Sequence, residues 1–211
     1  MTWRHTEHLT IIGDTGSGKT YLENRILKLR SYVIFLRTKS EKADDDPMDR
    51  SWKRARRVEE ISTLHGHWLL EPEYERQSIE GHRLFARARA EGNWTLAIDE
   101  VLGAIDAGLE RDIRWGLTQG RSQGITMVCG VQRPTTGTPI MRYVLSQSTH
   151  ACVFAIEGRD ANDIVAKSLS PQVSATIPKL DWQRHQFVYY HRRERSVSIE
   201  TANTITRRLG G

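Results

Sequence analysis

The sequence predicts an α/β fold, one mainly parallel sheet with helices on both faces. Three observations carry this. Near-continuous apolar runs alternate with stretches of helical spacing, the pattern of strands buried on both sides by crossover helices. A glycine-rich loop, "GDTGSGKT", joins the first apolar run to the first helical stretch. A chain of 211 residues, 38% hydrophobic, can bury a core of full domain size, with or without a short appendage.

The elements follow in order. "HLTIIG" reads as the first strand, and after the glycine loop a helix runs from about Lys19 to Leu29. "YVIFLR", Tyr32 to Arg37, is the second strand. Residues 38–60, with "TKSEKADDDPMDRSWKRARR", are polar, charged and contain proline, which predicts a loop or a poorly ordered insertion. A helix covers Glu75 to Glu91, and "WTLAIDE" is the third strand. Ile105, Leu109, Ile113 and Leu117 recur every four residues, one apolar stripe on one helix, which Gly120 and Gly124 end. "ITMVCGVQ" is the fourth strand and "HACVFAIEG" the fifth, with a short helix over Ile140 to Ser146 between them. From Pro178 on, "QFVYYH" and "VSIET" have β character amid Arg184, Arg192, Arg193, Arg195, Arg207 and Arg208. Residues 1–177 are therefore expected to form a core and 178–211 a basic hairpin or appendage. Cys129 and Cys152 lie within apolar runs and read as reduced core residues rather than a disulfide or metal pair.

The net charge is +5, with arginine far outnumbering lysine. Arginine suits bidentate phosphate contacts, so the balance points toward nucleic acid without establishing it. No apolar run reaches the roughly 18 residues that a membrane span needs. The N-terminus "MTWRHTEHLT" lacks the apolar centre of a signal peptide, which predicts a cytoplasmic protein.

The glycine loop fits GxxxxGK(S/T) at Gly13, Gly18, Lys19 and Thr20. Asp14, Thr15, Gly16 and Ser17 complete a chain turn whose successive N–H groups can wrap a β-phosphate. The helix behind it points its positive end at the anion. In this pattern Lys19 reaches the β- and γ-phosphates, and the Thr20 hydroxyl binds Mg²⁺. The loop predicts a site for ATP with Mg²⁺. In "LAIDE", Asp99 and Glu100 end an apolar strand: Asp99 can hold the shell of the Mg²⁺, and Glu100 can polarise a water for attack on the γ-phosphate. A guanine-reading NKxD is absent, since "TKSE" lacks both Asn and Asp, and there is no LSGGQ-like signature. "HGH" at 65–67 has no partner ligands at metal-binding spacing.

The segment "TQGRSQGITMVCGVQRPTTGTPIMRYVLSQSTHACVFAIEGRDANDI" resembles the FtsK/HerA superfamily of DNA-translocating ring ATPases. The resemblance rests on Arg121 and Gly124 before a strand, Gln132-Arg133-Pro134 closing it, and a later strand trailing into Arg159-Asp160. With the two nucleotide motifs it covers most of residues 7 to 170. It implies a RecA-like (ASCE) P-loop NTPase, its five strands ordered 5-1-4-3-2. Gln132 would then contact the γ-phosphate or the attacking water. Arg121 would be an arginine finger inserted into a neighbouring subunit, with Arg133 and Arg142 as alternatives. Such a charge is worth ~10³–10⁵ in rate. A finger supplied in trans requires a head-to-tail contact, so the resemblance implies a homo-oligomeric ring of five or six chains.

A ring motor must grip its polymer. Lys39, Lys42, Lys53, Arg54, Arg56 and Arg57 are the sequence's candidates for contacting double-stranded DNA, although Asp44, Asp45 and Asp46 lie in the same segment. The chain is barely larger than a motor core, so within the superfamily it looks most like a viral DNA-packaging ATPase acting at a procapsid portal or vertex. That reading places it in the host cytoplasm. A Zot-like phage assembly ATPase and an ATP-gated binding module without motor activity are the alternatives.

Overall fold

The computed structural model describes residues 2–38, 51–62, 66–134 and 139–211. β1 (Leu9–Ile12), β5 (Thr95–Ile98), β6 (Thr126–Val131) and β7 (His150–Val153) are parallel strands buried at every position. With β2 (Tyr32–Leu36) they form the parallel centre of a nine-stranded sheet. Their order across the sheet is β2-β5-β6-β1-β7, the relative order expected for the five strands.

The sheet is wider than those five strands. Beyond β2 lie β4 (Gly66–Leu70) and the edge strand β3 (Lys53–Ala55), both parallel. Residues 38–60 were expected to be a loop or an insertion, and β3 corrects that over its length. The cause is Trp52, 4% exposed, which packs on Phe35 and donates its indole N–H to Asn24 at 2.9 Å. At the other end β8 (Phe187–His191) and β9 (Ser196–Glu200) add antiparallel to β7. The expected hairpin is there, but its strands continue the main sheet.

Helices cover both faces. On one face α1 (Lys19–Leu27) and α8 (Ala202–Gly210) bring Leu22, Ile26, Ile205 and Leu209 onto Leu9, Ile11, Val33 and Phe35. The opposite face carries α2 (Gln77–Glu91), α3 (Val101–Asp106), α4 (Glu110–Thr118), α5 (Pro139–Gln147), α6 (Arg159–Ser168) and α7 (Pro171–Thr176) over Ile34, Leu96, Met127 and Val188. The stripe from Ile105 to Leu117 is not one helix. Gly108, at φ 85°, turns the chain between α3 and α4, leaving Ile105 half-buried while Leu109, Ile113 and Leu117 are fully buried. Cys129 and Cys152 are free thiols buried in β6 and β7, and burial pushes the Cys129 thiol up to about 12.

Candidate functional site

In a parallel sheet the loops at the strands' carboxyl ends converge, and ligands collect there. β1, β5 and β6 are adjacent and parallel, so the chain leaving each arrives at the same edge. β1 delivers the glycine loop, β5 delivers Asp99 and Glu100, and β6 delivers Gln132 and Arg133.

The loop is anchored by the Gly13 N–H on the Val131 carbonyl at 3.1 Å and closed by the Ser17 N–H on the Asp14 carbonyl at 3.1 Å. Gly16 and Gly18 have φ of 80° and 96°, which L side chains rarely adopt. Gly18 caps α1 with no side chain to accept from the helix's first N–H groups, so among the described residues this positive end is left to an external acceptor. Among the described residues the buried Ser17 hydroxyl has no hydrogen-bond partner. A phosphate at the loop would satisfy both features. Lys19 and Thr20, at the start of α1, line the same cavity of about 470 Å³ as Asp99, Gln132 and Arg37. The residues present therefore fit a nucleotide triphosphate with a divalent cation.

Asp99 is held by three donors on one oxygen. Its Oδ1 accepts from the Thr38 N–H and hydroxyl, each at 3.0 Å, and from the Glu100 N–H at 2.8 Å. Glu100 is 4% exposed, and its Oε1 accepts from the Gln132 N–H at 3.3 Å. Gln132 in turn donates its side-chain amide to the Thr15 hydroxyl. One chain of contacts thus links the strand-end carboxylates, the β6 tip and the glycine loop. Arg133 ion-pairs with Asp14 at 3.1 Å, bringing this cation to its own loop.

Arg121 is elsewhere. It lies in the 3-10 turn Gly120–Gln123 before β6, and β1 and β6 run parallel, so it stands at the opposite end of the sheet from the chain's own glycine loop. Its guanidinium donates to the Gln147 carbonyl at 2.6 Å. Arg142 is exposed on α5. Of the DNA candidates, Lys39 and Lys42 lie outside the described residues. Lys53, Arg54, Arg56 and Arg57 are exposed along β3 and the turn after it. Arg54 pairs with Glu71 at 2.7 Å and Arg56 with Glu73 at 3.1 Å, which offsets part of their charge. His65 also lies outside the described residues, while His67 bonds the Arg30 carbonyl at 2.7 Å.

Sequence reasoning missed Glu23. It is 1% exposed on α1 and, among the described residues, neither carboxylate oxygen has a hydrogen-bond partner. Burial, with smaller contributions from Asp99 and Glu100, pushes its pKa up to about 8 against the opposing pull of Lys19 and Arg37. Gly130 leaves room for it: a Cβ there would overlap the Asp99 carbonyl and come within 2.7 Å of Glu23 Oε1. In sequence, a Glu four residues after Lys19 reads as an ordinary helical ion pair, and only the fold puts it under the site.

No family model matches the sequence, and no curated protein matches it. Solved structures do. The genome-packaging NTPase B204 from Sulfolobus turreted icosahedral virus 2, in complex with ATP-gammaS, superposes with a TM-score of 0.70 at 17% identity, covering 93% of this chain and 97% of that one. The chain has a RecA-like P-loop NTPase fold. The same fold relates it to the pCW3 conjugation coupling protein TcpA, with a TM-score of 0.56, 14% identity and coverage of 89% of this chain and 58% of that one. It also matches the cytoplasmic domain of the Type VII secretion ATPase EccC from Thermomonospora curvata, with a TM-score of 0.57, 13% identity and coverage of 97% and 28%. Among its described residues, this NTPase fold has no helix long and apolar enough to cross a membrane.

Proposed function

We propose that the protein is an ATPase of the FtsK/HerA type that works as a ring motor on double-stranded DNA and packages a viral genome. The observation that carries the ATPase reading is the convergence of the glycine loop, Asp99, Glu100 and Gln132 at one sheet edge, linked by hydrogen bonds. The packaging reading is supported by the end-to-end match to B204, 96–98% of whose length is covered. The motifs around Arg121 and Gln132 support the same reading.

In this mechanism the glycine loop and the α1 terminus bind the phosphates, and Lys19 neutralises their charge. Thr20 and Asp99 would hold Mg²⁺, which supplies charge stabilisation on the phosphate oxygens. Glu100 accepts a proton from the attacking water. Gln132 orients that water and, through Thr15, couples β6 to the nucleotide loop. Arg121, facing away from its own loop, would serve the next subunit's site in a head-to-tail ring once released from Gln147. The exposed cations along β3 are proposed to meet DNA phosphates, and a procapsid vertex is the proposed docking point. In this reading residues 1–177 carry the phosphate site and 178–211 complete the same sheet.

The test is steady-state ATP hydrolysis with and without double-stranded DNA, together with the mass of the assembly in ATPγS. Stimulated turnover and a mass of five or six chains are expected. Mixing Lys19→Ala with Arg121→Ala subunits should then restore activity that neither has alone. Tight ATP binding with negligible turnover, indifferent to duplex, would make the protein an ATP-gated binding module instead.

A further inference from the structure

The glycine loop divides two cavities. Asp14, Thr15 and Gly16 line both. The cavity described above collects the charged groups Lys19, Arg37 and Asp99. The other, of about 750 Å³, has no lysine or arginine among the described residues that line it; its walls are Phe154, Ala155, Ile156 and Trp182, with Glu157, His185 and Gln186 at the side. This volume lies within the ~300–1,000 Å³ of typical small-molecule sites. A chamber without cations next to one with them divides the labour as a nucleotide requires, with phosphates on one side of the loop and an apolar disc on the other.

Trp182 stands out within that chamber. It is 71% exposed, whereas Trp3, Trp52, Trp68 and Trp94 are each 8% exposed or less. An indole left in water at the mouth of a cavity is a surface waiting for a partner. Its backbone is held in place. The Asp181 side chain accepts from the Gln183 N–H at 3.1 Å and pairs with Arg184 at 3.2 Å, and the Asp181 N–H donates to Gln186 at 2.9 Å. The turn is docked on the glycine loop through His185. At φ 48° it brings its Nδ1 to 3.3 Å from the Ser17 carbonyl and its ring to 3.3 Å from where a Cβ on Gly18 would be. The platform is thus fixed in register with the phosphate site.

We propose that Trp182 is the stacking platform for the purine base of the nucleotide. The inference rests on the phosphate-site reading above and extends it to a residue from the C-terminal part of the chain. Stacking engages the π-face rather than the base edge, so Trp182 supplies affinity for any purine and little choice between them.

Binding of ATPγS and of inorganic tripolyphosphate, each with Mg²⁺, tests this in the wild type, Trp182→Ala and Trp182→Phe. The exposed position makes both variants compatible with folding. Trp182→Ala should weaken ATPγS about ten- to a hundredfold and leave tripolyphosphate within about twofold, as expected for one lost base–aromatic stack. Trp182→Phe should hold ATPγS within about threefold of wild type, and ATPγS but not tripolyphosphate should quench wild-type indole fluorescence. Unchanged ATPγS affinity in Trp182→Ala overturns the proposal, as does an equal loss for both ligands, which would make Trp182 a support of the loop. Wild-type protein that binds neither ligand refutes the phosphate site itself and the stacking role with it.

Discussion

Glu100 stands where a single atom separates binding from turnover. Its Oε1 accepts the Gln132 N–H, an arrangement that an isosteric amide oxygen can keep. Glu100→Gln should therefore leave ATPγS affinity close to wild type while removing the basicity that draws a proton from water. Turnover should fall by about 10²–10⁴, the range for loss of a general base. Equilibrium binding beside steady-state hydrolysis checks this, and turnover within a few-fold of wild type would move the base elsewhere. At this scale the sequence was legible where chemistry demands contiguity. A phosphate loop has to be built from neighbouring backbone N–H groups, so Gly13 to Thr20 announce themselves. Asp99 and Glu100 follow because they end an apolar strand. Thr38, Glu23 and Trp182 gave no such signal. Thr38 and Trp182 come to the site from other segments and the turn of α1 carries Glu23 beneath it, while their residue types have ordinary readings as a turn, an ion pair and a surface aromatic.

Central strands were legible for the reason that they are buried on both faces, which makes them continuous apolar runs. The edges were not. β4 carries only three buried residues after Gly66 and His67, and β3 is a charged tripeptide held by its neighbour Trp52. α8 was missed because its apolar face is two buried residues, Ile205 and Leu209, in a polar stretch. That helix bears on how the chain divides. β8 is buried at all five positions between β7 and β9, and Ile205 and Leu209 cover the face that α1 and β1 share. A chain cut after Ile177 would expose the edge of β7 and that apolar face together. Residues 1–177 alone should therefore fail to give a cooperative unfolding transition by circular dichroism. A fragment that melts cooperatively near the full-length temperature would make 178–211 a dispensable appendage.

Over the whole molecule, buried titratable groups at opposite ends of the sheet set opposing pH limits on stability. At the amino-terminal end of the central strands, burial lowers His8 to about 3 and His150 to about 4 from an ordinary 6.5. His5 is also lowered, by partial burial and Arg30. Nearby cations add to this, Arg121 on His8 and Arg30 on His150, as does His191 on His150. Hydrogen bonds work the other way, from His8 to the Leu117 carbonyl and from His150 to Glu7. Below pH 6.5 the unfolded chain takes up protons there that the folded chain refuses, so stability falls as pH drops. At the carboxyl end Glu23 is raised to about 8 from 4.5, so between those values the folded chain keeps a proton that the unfolded chain has released. Stability therefore falls as pH rises toward 8. From about pH 4.5 to 6.5 the lowered imidazoles outnumber Glu23, so stability rises with pH there, and above 6.5 Glu23 acts alone with the opposite sign. Glu7, Glu80 and Glu200, all lowered, act below pH 4.5, and the raised Cys129 and Cys152 thiols act above pH 9. Denaturant unfolding without nucleotide or divalent cation, from pH 5 to 8.5, should find maximum stability close to pH 6.5. Glu23→Gln removes the alkaline decline and steepens the acid limb, because the imidazoles then act unopposed. A wild-type curve flat from pH 6.5 to 8, or a variant that declines as the wild type does, would mean that Glu23 is ionised beneath the loop.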